Sequence, residues 1–71
     1  MSDAITLGEA LPKEMARVRD EVMPAYLEIG IPGVIAWTLM RDSLDQATRA
    51  MASGDVVEML KTYQDLKGYR T

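Results

Sequence analysis

The sequence predicts an all-α protein, a bundle of three helices in up-down-up order that span about residues 10–30, 32–53 and 55–67. Apolar residues recur at spacings of three and four along most of the chain, and no segment alternates at period two for long enough to form a strand. Glycine and proline separate the three helices at residues 30–33 and at Gly54, and both links are short, so neighbouring helices should pack antiparallel. The 71 residues are expected to form a single helical domain.

The composition excludes several classes of chemistry. The chain has neither cysteine nor histidine and carries a net charge of −3. Disulfides, thiolate nucleophiles and the commonest transition-metal ligand are therefore missing, so we expect no cofactor and no metal. Negative net charge disfavours non-specific binding to nucleic acid or to anionic membranes. The acidic N-terminus does not resemble a signal peptide, and the longest uncharged run, residues 29–40, is too short to span a bilayer, so we expect a cytoplasmic protein.

The first helix should begin near residue 10, after an N-terminal segment, residues 1–8, that is expected to be flexible. Its predicted core face contains Leu11, Met15, Val18, Val22, Tyr26 and Ile29. Pro24 falls on the polar side and should bend the helix, and we favour a local bend over a functional hinge. Met23 and Leu27 are predicted to lie on a flank of the helix, away from the core face.

The second helix is the most apolar part of the chain. It has an ordinary core stripe that includes Trp37, and the C-terminal half has a polar face. In the first turns, however, Val34 and Ile35 lie on the face of the helix that further along carries the polar residues Asp45 and Arg49. A helix that is apolar nearly all the way round is either central and covered by other elements or covered by another molecule.

The third helix should begin at Asp55, a residue type that caps helix N-termini, directly after the helix-ending Gly54. The predicted core face contains Val56, Met59, Leu60, Tyr63 and Leu66, and Thr62 is predicted on the opposite, polar face.

Catalytic, metal and nucleic-acid sites were each weighed against an ordinary solvated helix surface. The carboxylate pairs Asp20/Glu21 and Asp42/Asp45 fall on predicted solvent faces, so we expect no enzyme and no small-molecule substrate. Two carboxylates at i, i+3 also make only a weak cation site. The tight turn before the third helix suggests a helix-turn-helix, but the helix then begins with residues 55–58, which are acidic and apolar. A small nucleic-acid-binding regulator therefore remains the alternative function.

The predicted function is a non-enzymatic interaction module that binds another protein, or itself as a homodimer, near the turn between the first two helices. Apolar residues there do not fit a simple three-helix core, and exposed apolar patches usually indicate contact. The predicted contact residues are Met23, Tyr26, Leu27, Ile31, Val34 and Ile35. The alternative is that Ile5 and Leu7 of the N-terminal segment fold over this end and cover it.

Two stretches resemble a group of known sequences. Residues 11–20 and 54–60 resemble short, uncharacterised bacterial and prophage reading frames. This resemblance implies a small helical protein and carries no functional residue over to this chain.

Overall fold

The computed structural model describes residues 6–70, which contain helices and turns and no strand. The helices are α1 (Leu7–Arg17), α2 (Met23–Leu27), α3 (Ile31–Ser53) and α4 (Val56–Lys67). A π-helical segment, Val18–Val22, joins α1 to α2, so these three elements form one continuous rod. For the described residues the prediction of an all-α fold with three helical rods is confirmed. Contacts join α2 to α3, α3 to α4, and α1 to α4.

The bounds of α3 and α4 agree with the predicted ones to within one residue. The helix α3 ends where the Gly54 N–H donates to the Ala50 carbonyl at 3.0 Å. Asp55 then caps α4, because its Oδ1 accepts from the backbone N–H groups of Val57 at 3.0 Å and Glu58 at 3.2 Å. These caps satisfy backbone groups that have no partner inside a helix.

The first rod begins earlier and ends earlier than predicted. The Thr6 carbonyl accepts from the N–H groups of Glu9 and Ala10, at 2.9 and 2.8 Å, which starts α1 at Leu7. Residues 7 and 8, which were predicted to belong to the N-terminal segment, are part of α1. The rod ends at Leu27 rather than at residue 30. Residues 1–5, and with them Ile5, lie outside the described part of the chain.

The π-helical segment marks the position of the predicted bend. The Met23 N–H donates to the Val18 carbonyl, five residues back, instead of the usual four. Pro24 follows at once, and it has no N–H and a ring that conflicts with the carbonyl of Asp20 in a regular α-helix. The wider π turn relieves this conflict. It also inserts one residue, which turns all later side chains by about 100° around the rod.

Because of this rotation, two predictions about the first rod are wrong. Met23 is 6% exposed and belongs to the core, although its spacing placed it on a flank. Ile29 is 60% exposed, although its spacing placed it in the core. Both errors have one cause, since an uninterrupted period of 3.6 residues does not allow for an inserted residue.

The buried face of α4 also differs from the prediction. Thr62 is buried, and its hydroxyl donates to the Met59 carbonyl at 3.0 Å. The buried hydroxyl therefore keeps a hydrogen-bond partner. Val56 and Leu60 are exposed instead, because the face of α4 that carries Thr62 and Leu66 is the one turned toward the core. The largest fully buried side chains of the molecule are those of Leu11, Val18, Val22, Met40 and Leu66.

Polar contacts tie the end of α4 to the other rods. Arg17 pairs with Glu14 at 3.0 Å and donates to the carbonyls of Leu66 at 3.1 Å and Tyr69 at 3.0 Å. The hydrogen bond to Glu14 raises the pKa of Arg17 above its usual value. The Tyr69 hydroxyl also shares a 2.9 Å hydrogen bond with the hydroxyl of Ser43, in the middle of α3.

Candidate protein-interaction surface

The turn between α2 and α3 is tight and is built from backbone hydrogen bonds. The Ile29 N–H donates to the Tyr26 carbonyl at 3.2 Å, and the Val34 N–H donates to the Gly30 carbonyl at 3.0 Å. Gly30 has a φ of 100°, a conformation that favours glycine, and Pro32 lies in the first turn of α3.

Glycine 33 brings the two helices into backbone contact just after this turn. A Cβ atom at Gly33 would lie 1.7 Å from the Tyr26 carbonyl oxygen and 3.0 Å from the Ile29 Cβ. Because the backbones touch, no side chain fits between the helices at this level. The larger apolar side chains around the turn are therefore displaced to the outside of the molecule.

Six large aliphatic side chains are exposed at this end, and we name them the hairpin-end surface. Their exposed fractions lie between 46% for Val34 and 80% for Ile31. The members are Leu27, Ile29, Ile31, Val34, Ile35 and Leu39. They occupy the end of α2, the turn and the first two and a half turns of α3.

The side of α3 that packs against α4 is uncovered in its N-terminal half because α4 is short. A helix rises about 1.5 Å per residue, so α4 is about 18 Å long, whereas α3 is about 34 Å long. The helix α4 starts beside the C-terminus of α3, and Tyr69, two residues after its last residue, already lies at Ser43. Among residues 6–70, the N-terminal half of α3 therefore has no neighbour on the side where α4 would continue.

The structure brings four of the six predicted contact residues together. Leu27, Ile31, Val34 and Ile35 all belong to the hairpin-end surface. Met23 does not, since it is buried in the core. Tyr26 is half-buried, and its hydroxyl donates to the Arg70 carbonyl at 2.7 Å.

Sequence reasoning missed Ile29 and Leu39, which are 60% and 59% exposed. Pro24 was a usable signal for Ile29, because a proline inside a helix removes a backbone hydrogen bond and so disturbs the regular period that placed Ile29 in the core. For Leu39 the signal was the difference in length between the second and third helices.

Leu7 does not cover the hairpin-end surface. It lies in the first turn of α1, 20 residues before Leu27, which places it about 30 Å away along the rod. The predicted role of Ile5 in covering this end falls outside the described residues.

One charged and exposed residue, Glu28, lies between Leu27 and Ile29 within the hairpin-end surface. No residue from 29 to 40 is charged, whereas Glu28 precedes this run and Arg41 follows it. Thr38, the polar side chain within the run, donates its hydroxyl to the Val34 carbonyl at 2.9 Å. The Arg41 guanidinium lies 5.8 Å from the centre of the Trp37 ring, which is half-buried against the core.

The carboxylates considered for catalysis or metal binding lie elsewhere. Asp20 is exposed and pairs with Arg19 at 2.8 Å, and this hydrogen bond lowers the pKa of Asp20. Asp42 accepts from the Gln46 amide at 2.8 Å. Within residues 6–70 no group of three carboxylates converges as a metal site would require.

Two further surfaces were considered as sites. An open groove of about 480 Å³ between α3 and α4 is lined by side chains of both charges, among them Asp42, Lys61 and Asp65. A second exposed apolar group on α4 consists of Val56, Val57 and Leu60, and Glu58 lies among them in the sequence. The hairpin-end surface has more members and no charged residue between 29 and 40.

Comparisons with protein-family models, with curated proteins and with solved structures find no match to this chain. The resemblance to bacterial and prophage reading frames therefore stays a prediction. Across residues 6–70, no helix combines the length and the apolar character that crossing a membrane requires.

Proposed function

We propose that this chain is a non-enzymatic protein-interaction module that binds through the hairpin-end surface. One observation carries the proposal: six large aliphatic side chains, each about half exposed or more, lie at one end of the molecule. Exposed leucines and valines are common singly, but a group of this size, with Glu28 as the one charged residue between its first and last members, is typical of a contact surface.

The size of the surface supports this reading. From their exposed fractions, the six side chains together present roughly 600 Å² of apolar surface, at the upper end of the range for the largest patch on a monomer. Removing that surface from water is favourable, and the chain offers it in one place rather than scattered. A partner with a matching apolar face would bury most of this surface, and the complex would be stabilised accordingly.

We also infer the up-down-up order of the three rods, on which the position of α4 depends. The hydrogen bonds from Arg17 to the carbonyls of Leu66 and Tyr69 support it, as does the bond from Tyr26 to Arg70. Arg17 contacts residues 66 and 69, and Tyr26, further along the first rod, contacts residue 70. Contacts in this order are expected if the first rod and α4 run parallel, with the antiparallel α3 joining them in the chain.

The test replaces two residues of the hairpin-end surface by lysine. Val34→Lys with Ile35→Lys places two charges on the surface, and the tagged variant is used as bait in a lysate of the cells that make the protein. The matched control is Val56→Lys with Val57→Lys, at residues that are 66% and 63% exposed on α4. Circular dichroism measures the helicity of every variant.

We expect the control and the unchanged chain to recover the same associated protein, and the Val34/Ile35 variant to recover none of it while keeping its helicity. If the Val34/Ile35 variant unfolds, these residues belong to the core and the proposal is wrong. If all three baits recover the same proteins in the same amounts, the hairpin-end surface is not the contact site.

The alternative function, a nucleic-acid-binding regulator, has less support. The first turn of α4, where a recognition helix would meet bases and phosphates, presents Val56, Val57 and Glu58 after the Asp55 cap. Carboxylates at this position repel phosphates, so we do not develop this function further.

A further inference from the structure

Residues 68–70 follow α4 and cross to the other two rods, and we name them the Tyr69 strap. The Arg17 guanidinium donates to the Tyr69 carbonyl at 3.0 Å, and the Tyr26 hydroxyl donates to the Arg70 carbonyl at 2.7 Å. The Tyr69 hydroxyl shares its 2.9 Å hydrogen bond with Ser43 of α3. Side chains of the first rod and of α3 therefore hold the strap in place.

The strap is held more weakly than the rods. Two backbone bonds of 3.1 Å, from the Gly68 N–H to the Asp65 carbonyl and from the Tyr69 N–H to the Leu66 carbonyl, close the turn at its beginning. Gly68 and Arg70 are exposed and Tyr69 is half-buried, whereas each rod contains a large, fully buried side chain. A hydrogen bond that is exchanged for one to water stabilises a fold only modestly, so such segments open before the whole chain unfolds.

We propose that the Tyr69 strap opens as a unit while the three rods stay folded, and that its opening uncovers the face of α3 around Ser43. Ser43 is 5% exposed, and the Tyr69 hydroxyl lies directly against it. Gly68, the residue between α4 and Tyr69, provides a hinge without a side chain. This inference concerns the chain alone and does not depend on the proposed function.

Arg17 is arranged to close the strap again after it has opened. Its Nε and Nη2 donate to the Glu14 carboxylate at 3.1 and 3.0 Å, and Nη2 also donates to the Leu66 carbonyl within α4. Neither partner belongs to the strap, so the guanidinium keeps its position when the strap leaves. A donor that is already held in place recovers the Tyr69 carbonyl at a small cost in entropy.

The face that the strap covers adjoins the hairpin-end surface. Leu39, a member of that surface, lies one turn before Ser43 on the same side of α3, and both residues line a groove together with Tyr69. On the first rod, Tyr26, which holds the strap, directly precedes Leu27. The strap therefore closes one edge of the hairpin-end surface, and its opening enlarges the surface that a partner can reach.

The chain has no cysteine, so a single introduced thiol reports on a single position. Ser43→Cys places a thiol under the strap with little change in size. Ala50→Cys is the matched control, because Ala50 is also 5% exposed and lies on the same helix, about 10 Å further along. Alkylation of the full-length variants by iodoacetamide, followed by mass spectrometry, measures the rate at each position.

We expect the thiol at position 43 to react at least about ten times faster than the thiol at position 50, because the strap opens without the rods. Tyr26→Phe removes the hydroxyl that holds Arg70 and keeps the ring. It should raise the rate at position 43 about fivefold, the effect of one net hydrogen bond, and leave the rate at position 50 unchanged. Tyr63→Phe, at a half-buried ring of α4 that faces Lys67 at 5.3 Å, should change neither rate.

Equal rates at positions 43 and 50 would mean that Ser43 becomes accessible only when the whole chain unfolds, which overturns the proposal. An effect of Tyr26→Phe that is absent at position 43, or equal at both positions, overturns it as well. Because the labelling needs no partner, its result is independent of the lysate experiment with Val34→Lys and Ile35→Lys, which decides the proposed function.

Discussion

Gly33 lies against the backbone carbonyl of Tyr26 so closely that a Cβ atom at position 33 would come within 1.7 Å of the Tyr26 oxygen. This contact fixes how near α2 and α3 approach beside their connecting turn. It also leaves no space between the two helices at this level for a large side chain.

We predict that Gly33→Ala destabilises the chain by about 3 kcal/mol, since the added methyl group meets backbone atoms that can move only if the two helices separate. Chemical denaturation followed by circular dichroism measures the free energy of unfolding. Gly8→Ala is the control. At Gly8 the nearest atom to an added Cβ is the Thr6 hydroxyl oxygen at 3.9 Å, so alanine should be neutral or stabilise α1. Equal effects of the two substitutions would contradict the close contact at Gly33.

A second prediction concerns the register change caused by the π-helical segment. Met23→Ala should destabilise the chain by about 2 to 4 kcal/mol, because it removes a side chain that is 6% exposed within the core. Leu27→Ala, on the same rod but at a residue that is 49% exposed, should have an effect of less than about 1 kcal/mol. The same denaturation measurement applies to both. The reverse order of effects would mean that the first rod is a regular α-helix.

A third prediction concerns the start of α4. Asp55→Ala should destabilise the chain by about 1 kcal/mol, because the carboxylate accepts hydrogen bonds from two backbone N–H groups that have no partner within the helix. Asp45→Ala changes the net charge equally on the exposed middle of α3 and should stay within about 0.5 kcal/mol of the unchanged chain. Amide hydrogen exchange at Val57 and Glu58 should accelerate only in the Asp55 variant.

Local signals in the sequence were sufficient to predict α3 and α4. The residues that end one helix and begin the next, Gly54 and Asp55, act through their own backbone and side-chain chemistry, so no knowledge of the packing was needed. The exposed positions of Val34 and Ile35 also followed from the period of a helix that is regular from Ile31 to Ser53.

The parts that were predicted wrongly depend on interactions between elements or on a change of period. Met23 and Ile29 exchanged their expected environments because one inserted residue rotates everything that follows it. Thr62 was assigned to the polar face from its residue type, yet its hydroxyl bonds to its own helix and can be buried. The close approach at Gly33 required both helices, and Gly33 alone suggested only a turn residue.

The central claim is that the side chains of the hairpin-end surface are exposed in the single chain and become buried by contact. Methyl NMR with a soluble paramagnetic probe measures this exposure residue by residue, in the dilute chain alone and with the protein that the unchanged chain recovers from the lysate. We predict strong broadening of the Ile31, Val34 and Ile35 methyl signals in the chain alone and protection of the same signals when that protein is added, while Val56 and Val57 stay broadened throughout. Protection of Val34 and Ile35 already in the dilute, monomeric chain would contradict the account.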